Sequence, residues 1–194
     1  MPQLSFLQWL ELAAVALAVL YLLLAIRQNI WCWAAAAVST TLYLFIMYAA
    51  RLYAEAALQI FYLAMAVYGW YQWRRGGANH HGVEVSTWPM RKHVVAVLVV
   101  FTLVLVSGGL LQRFSDAALP FADAFTTWGA VVATWMVARK ILENWVYWFV
   151  IDAVSVYLYV SRELYFTSVL FVAYLVMIVF GYRSWKRSML EQEG

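Results

Sequence analysis

Seven apolar stretches, separated by short charged or small-residue punctuation, leave this 194-residue chain few ways to fold: approximately 7–26, 30–50, 54–73, 94–112, 121–138, 144–160 and 164–183. A hydrocarbon core of roughly 30 Å is crossed by about 20 mainly apolar residues in a helix. No water reaches the backbone there, so the peptide groups must bond to one another within the segment. Hydrophobic residues make up 66% of the chain and charged residues 12%, whereas about a quarter of a soluble domain is charged; the mean hydropathy is +0.75. The expected fold is therefore an all-α membrane protein, a single transmembrane domain over 1–194 with seven transmembrane helices in the lipid bilayer. Short links make sequential helices antiparallel. The one long connection, 74–93, carries Gly76, Gly77, Pro89 and charges that mark a solvated loop.

Of the 13 basic residues, ten fall on one side: Arg27, Arg74, Arg75, Arg91, Lys92, Arg139, Lys140, Arg183, Lys186 and Arg187. Only Arg51, Arg113 and Arg162 fall on the other. Positive charge next to spans sets orientation, which puts the N-terminus outside and the C-terminus in the cytoplasm. It implies no nucleic-acid partner. No Lys or Arg precedes the first apolar run, so a cleavable signal peptide is not expected and residue 7 onward reads as a retained span. The single cysteine, Cys32, sits among Trp31, Trp33 and alanines as a small apolar filler.

Sliding the chain on itself by 112 positions, without a gap, aligns the first three spans with the last three. Glu11 meets Asp123, Arg27 meets Arg139, Trp33 meets Trp145, Leu52-Tyr53 meets Leu164-Tyr165, Tyr62 meets Tyr174, Gly69 meets Gly181, Trp73 meets Trp185 and Arg75 meets Arg187. Three spans per copy is an odd number, so like-oriented copies need a fourth span between them. The expected architecture is a 3+1+3 parallel repeat, with repeat one at 5–75, a linker helix at 94–112 and repeat two at 119–187. Transporters of this kind place a site near the midplane at the repeat interface. Gly69 and Gly181 would permit close helix packing or slight bending.

In the sixth span Trp145, Trp148, Asp152, Ser155 and Tyr159 share one helical face. Asp152 lies eight residues beyond Asn144, roughly 12 Å along the helix. A carboxylate near mid-bilayer costs at least about 2.5 kcal/mol and marks a functional site by default, although a structural hydrogen bond to a neighbouring helix is the bland reading. Aromatic faces beside a carboxylate suit a flat cation. The third span offers Glu55, Gln59 and Tyr62, with Glu55 nearest the outer edge. The repeat maps Asp152 onto Thr40 and Ser155 onto Tyr43 in the second span. Glu11 and Asp123 open their repeats in a shared structural role, and Thr127 lies one turn below Asp123. His80, His81 and His93 lie in or beside the long connection; the His80-His81 pair could take a metal, but without a third ligand at useful spacing a solvated loop is the reading, and no metal or cofactor site is expected.

Enzyme chemistry has no support. Lys92, Lys140 and Lys186 all fall at span ends, which excludes a retinal Schiff base, and no HExxH, GxSxG or phosphate-binding loop occurs. A transporter is the leading reading and a non-transporting membrane scaffold the alternative.

The runs LYAEAALQIFY (52–62), GWYQW (69–73), NWVYWFVIDAVSVYLY (144–159) and GYRSW (181–185) resemble the PnuC family of bacterial vitamin transporters over nearly the whole chain. The resemblance implies a SWEET-like 3+1+3 fold in the bacterial inner membrane, often as a homotrimer. It implies nicotinamide riboside uptake by facilitated diffusion, with a cytoplasmic kinase trapping the substrate without stable binding to the carrier. Thiamine, carried by the related PnuT proteins, is the alternative, and riboflavin a further one. The tryptophans and polar residues of the sixth span and Gln59 are the positions the family would use for substrate. Trp31-Cys32-Trp33 departs from the asparagine and proline that family members tend to have around paired tryptophans.

Overall fold

A computed structural model describes residues 6–49, 51, 53–77, 80–115, 119–161, 163 and 165–193. Leu52, Arg162 and Leu164, used in the sequence argument, lie outside these, as does the side chain of Tyr53. Seven helices follow in order: α1 (Phe6–Ile26), α2 (Trp31–Ala49), α3 (Tyr53–Arg75), α4 (Met90–Phe114), α5 (Pro120–Ala138), α6 (Asn144–Ser161) and α7 (Tyr165–Glu193). Most bounds match the apolar runs. Two helices overshoot: α4 starts at Met90 rather than 94, and α7 continues to Glu193 rather than stopping near 183. Apolarity marks where lipid ends, whereas Arg, Lys, Glu and Gln are good helix formers that carry a helix into water.

The chain forms two compact units, Met1–Glu84 and Val85–Gly194. In the first, α2 packs on both α1 and α3; in the second, α4 packs on α5, α5 on α6 and α6 on α7. Among the described residues, four helices are long and apolar enough by themselves to cross a membrane, with qualifying stretches Trp9–Ile26, Trp31–Ala49, Met90–Phe114 and Thr167–Gln192. The remaining three, α3, α5 and α6, are those that carry Glu55 and Gln59, Asp123 and Thr127, and Asp152 and Ser155. Their polar side chains lower the mean apolarity of the helix.

The turns are built from specific backbone bonds. After α1, Gln28 takes φ 53°, its N–H bonds the Ala25 carbonyl, and the Asn29 N–H bonds the Leu24 carbonyl. After α5, Lys140 takes φ 49°, its N–H bonds the Val137 carbonyl, and the Ile141 N–H bonds the Met136 carbonyl. Both are left-handed helix stops that satisfy orphan carbonyls. Arg51 (φ 61°) and Glu163 (φ 59°) end α2 and α6 in the same way, donating to the carbonyls of Tyr48 and Val160.

Each unit is locked by an indole over a glycine. Trp33 of α2 lies against Gly69 of α3, where a Cβ would enter the ring, and meets Trp73 edge-on at 5.6 Å and 86°. Trp145 of α6 lies against Gly181 of α7 and meets Trp185 edge-on at 5.4 Å and 88°. Such pairs add about 0.5–1.5 kcal/mol beyond their area. Trp33, Trp145 and Trp185 are all fully or almost fully buried, and so is Cys32. Gly69 and Gly181 thus serve close packing.

The long connection is less solvated than its composition implies. Ser86 donates from its N–H to the Lys140 carbonyl at 3.1 Å and accepts from the Leu142 N–H at 2.8 Å, and the Trp88 N–H donates to Glu143 Oε2 at 3.3 Å. The segment before α4 is therefore strapped to the α5–α6 turn.

Gly69→Ala and Gly181→Ala should each lower the melting temperature of the solubilised protein. Overpacking costs about 1–3 kcal/mol and outweighs the helix-propensity gain of about 1 kcal/mol. Gly109→Ala, where a Cβ meets open space, should leave it unchanged or raised. Adding Trp145→Phe to Gly181→Ala should recover part of the loss in the same melting assay.

Candidate functional site

The α6 face divides into residues with different surroundings. Trp145 is a packing residue, shut in by Gly181 and Trp185 with its indole N–H unpartnered among the described residues. Trp148, one turn on, is half-buried. Asp152 is 5% exposed, and no hydrogen-bond or ion-pair partner for its carboxylate lies among the described residues. Ser155 is buried and donates to the Ile151 carbonyl of its own helix at 3.0 Å. Tyr159 is half-buried and meets Phe171 of α7 at 5.0 Å with the rings tilted by 41°, and Phe171 in turn meets Tyr174 edge-on at 5.5 Å. The face thus runs from an aromatic lock, past a buried acid, to an aromatic ledge.

In the first unit Thr40 is buried and Tyr43 half-buried on α2, while Gln59 and Tyr62 are half-buried on α3, which packs against it. Tyr62 touches Phe61 edge-on at 5.5 Å. Glu55 is exposed. Ser39, beside Thr40, was not singled out in the sequence; its hydroxyl donates to the Ala14 carbonyl at 2.8 Å and pins α2 to α1. A lone serine in an alanine-rich helix gives no signal of which neighbour it will reach.

Glu11 is exposed and Asp123 half-buried, so the two do not share one environment. The hydroxyls of Thr126 and Thr127 both donate to the Asp123 carbonyl at 2.9 Å, within their own helix. His80 and His81 are exposed. His93 is not a loop residue: it lies in the first turn of α4, with Nδ1 3.0 Å from the Tyr147 hydroxyl, Nε2 3.8 Å from Glu143 Oε1, and its ring 5.5 Å from Trp88. The tertiary fold brings this cluster together across 54 residues of chain, and no local spacing announces it.

Two cavities lie away from the candidate face. One of about 420 Å³ opens between α4, α5 and α6. The other, about 650 Å³, opens at the α1–α2 turn beside Trp31, Trp70 and Arg74, where Trp31 and Trp70 meet edge-on at 5.4 Å.

Chemically, the α6 face suits a cationic ring. A carboxylate out of water with no built-in counter-charge attracts a cation far more strongly than an exposed one, and half-buried aromatic rings add cation–π attraction.

Comparison with known proteins agrees with a carrier. The family described as nicotinamide mononucleotide transporter matches residues 8–187. The riboflavin/roseoflavin transporter RibM of Streptomyces davaonensis is 29% identical over 91% of this chain and 84% of its own length. The nicotinamide riboside transporter PnuC of Escherichia coli is 26% identical over 96% of this chain and 88% of its own. The crystal structure of the vitamin B3 transporter PnuC superposes with a TM-score of 0.74 at 22% identity, covering 94% of this chain and 83% of that one, a likeness of fold. With apolar helices long enough to cross a bilayer, the chain belongs to the nicotinamide mononucleotide transporter family, that of PnuC, and is a multi-pass inner-membrane protein.

Proposed function

We propose that this protein carries nicotinamide riboside into the cell by facilitated diffusion, with phosphorylation in the cytoplasm trapping the substrate. The observation that carries this reading is the Asp152 carboxylate, buried on α6 with no counter-charge among the described residues. Leaving a charge unpaired out of water is costly, so a site that does so is matched to a ligand that brings the opposite charge. The pyridinium of nicotinamide riboside does. Trp148 and Tyr159 supply aromatic surface for the flat ring, and Ser155, one turn beyond Asp152, supplies a hydroxyl group for ribose. Trp145 supports the site by fixing how α6 lies on α7.

The same proposal includes the 3+1+3 repeat, with the N-terminus outside. Paired features support the repeat: left-handed stops at Gln28 and Lys140 and at Arg51 and Glu163, and an indole on a glycine at Trp33–Gly69 and Trp145–Gly181. All fall at the offset read from the sequence. Charge asymmetry supports the orientation.

Riboflavin is the second reading, favoured by the RibM likeness. It is a neutral ring system and gains nothing from a carboxylate's charge. Asp152→Asn separates the two: for the pyridinium, affinity should fall by about tenfold or more, about 1.4 kcal/mol; for riboflavin it should stay within about twofold, because no ligand charge is lost and the amide oxygen still accepts a hydrogen bond. Calorimetric titration of the purified protein with each vitamin is the measurement.

Asp152→Ala and Trp148→Ala should each weaken nicotinamide riboside binding by about tenfold or more while leaving the fold intact. Unchanged affinity in both variants would remove the basis of the assignment. Uptake of labelled nicotinamide riboside into liposomes, with thiamine and riboflavin as competitors, then ranks the substrates.

A further inference from the structure

The cavity between α4, α5 and α6 is unlike the carrier face. Its walls include Val97, Val100 and Val104 of α4, Phe125 of α5 and Val150 of α6, and its polar side chains, His93 and Tyr147, sit together at one end and bond each other at 3.0 Å. A vitamin bearing several hydroxyls would leave them unpaired along such walls, which is unfavourable out of water. From His93 to Val104 the groove follows α4 for about 16 Å, close to one leaflet of a hydrocarbon core of roughly 30 Å. Val97 and Val150 are about half exposed, so the groove is open along its side.

Charge collects at its polar end. Arg91 and Lys92 are exposed in the first turn of α4. The Ser86 bonds to Lys140 and Leu142 hold the α5–α6 turn, with Arg139 and Lys140, against the segment that leads into α4. Glu143 is the acid among them, accepting from the Trp88 N–H and facing His93. Basic clusters at the membrane edge of an interhelical groove attract anionic headgroups.

We propose that this groove binds one acyl chain of an anionic phospholipid, with the phosphate beside Arg91 and Lys92. The occupant is a lipid rather than a second copy of the chain because the walls are branched and aromatic. Helices that pair in membranes meet through small residues, and the small residue here, Gly129, already faces Ile151 within the unit. The apolar walls set the shape and the basic residues set the headgroup preference.

The test uses the full-length protein reconstituted with equal phosphatidylglycerol and phosphatidylcholine, extracted in mild detergent and examined by native mass spectrometry. The expected result is retention of phosphatidylglycerol over phosphatidylcholine by about tenfold. Val97→Trp with Val150→Trp, both at exposed positions, fills the groove and should cut that retention by about tenfold. Arg91→Gln with Lys92→Gln should abolish the headgroup preference and leave total retained lipid unchanged; this variant carries the test if the filled groove impairs folding. Equal retention of the two lipids, or full retention in the filled variant, would overturn the proposal. So would efficient disulfide formation between copies of Val97→Cys, which would mean that a second copy covers the groove.

Discussion

The contact on which each unit depends is an indole seated on a glycine. Inside a bilayer, helices gain little hydrophobic energy by meeting, since lipid tails are as apolar as leucine; close van der Waals packing must hold them. Gly69 and Gly181 remove the side chain that would keep α3 from α2 and α7 from α6, and Trp33 and Trp145 fill the space. Trp73 and Trp185 close the far side edge-on. The buried indole N–H groups of Trp33 and Trp145 have no partner among the described residues, a cost of about 1–3 kcal/mol each that the packing offsets. With α6 held at this angle, Asp152 is placed away from lipid.

Division of labour among the helices follows from the same physics. α1, α2, α4 and α7 contain stretches apolar enough to span on their own. The other three, α3, α5 and α6, which carry Gln59, Asp123 and Asp152, rely on packed neighbours: α3 on α2, α5 on α4 and α6, and α6 on both α5 and α7. In α5 and α6, Thr126, Thr127 and Ser155 turn their hydroxyls back onto their own helix. Asp152 has no such partner among the described residues, which sets it apart from these self-bonded hydroxyls.

Much of the fold was legible because it follows from solvent. Apolar runs located all seven helices to within a few residues, erring at α4 and α7 where charged residues continue a helix into water. The candidate face on α6 was legible for a similar reason: helical spacing places Trp148, Asp152, Ser155 and Tyr159 together whatever surrounds them. Their surroundings were not. Trp145 shares that stripe but is consumed by packing against Gly181, Glu55 is exposed, and Glu11 and Asp123, alike in sequence position, differ in burial.

What the sequence alone determined is therefore everything periodic and local: helices, their polar faces, an offset of like residues, and the carrier family that its motifs resemble. What only the tertiary structure decided are contacts between distant segments. Histidine 93 joining Tyr147 and Glu143, Ser86 strapping the α5–α6 turn, and Ser39 reaching Ala14 each depend on which helix lies alongside. A helix repeats every 3.6 residues and writes its faces into the chain, but nothing in that period records which neighbour each face will meet.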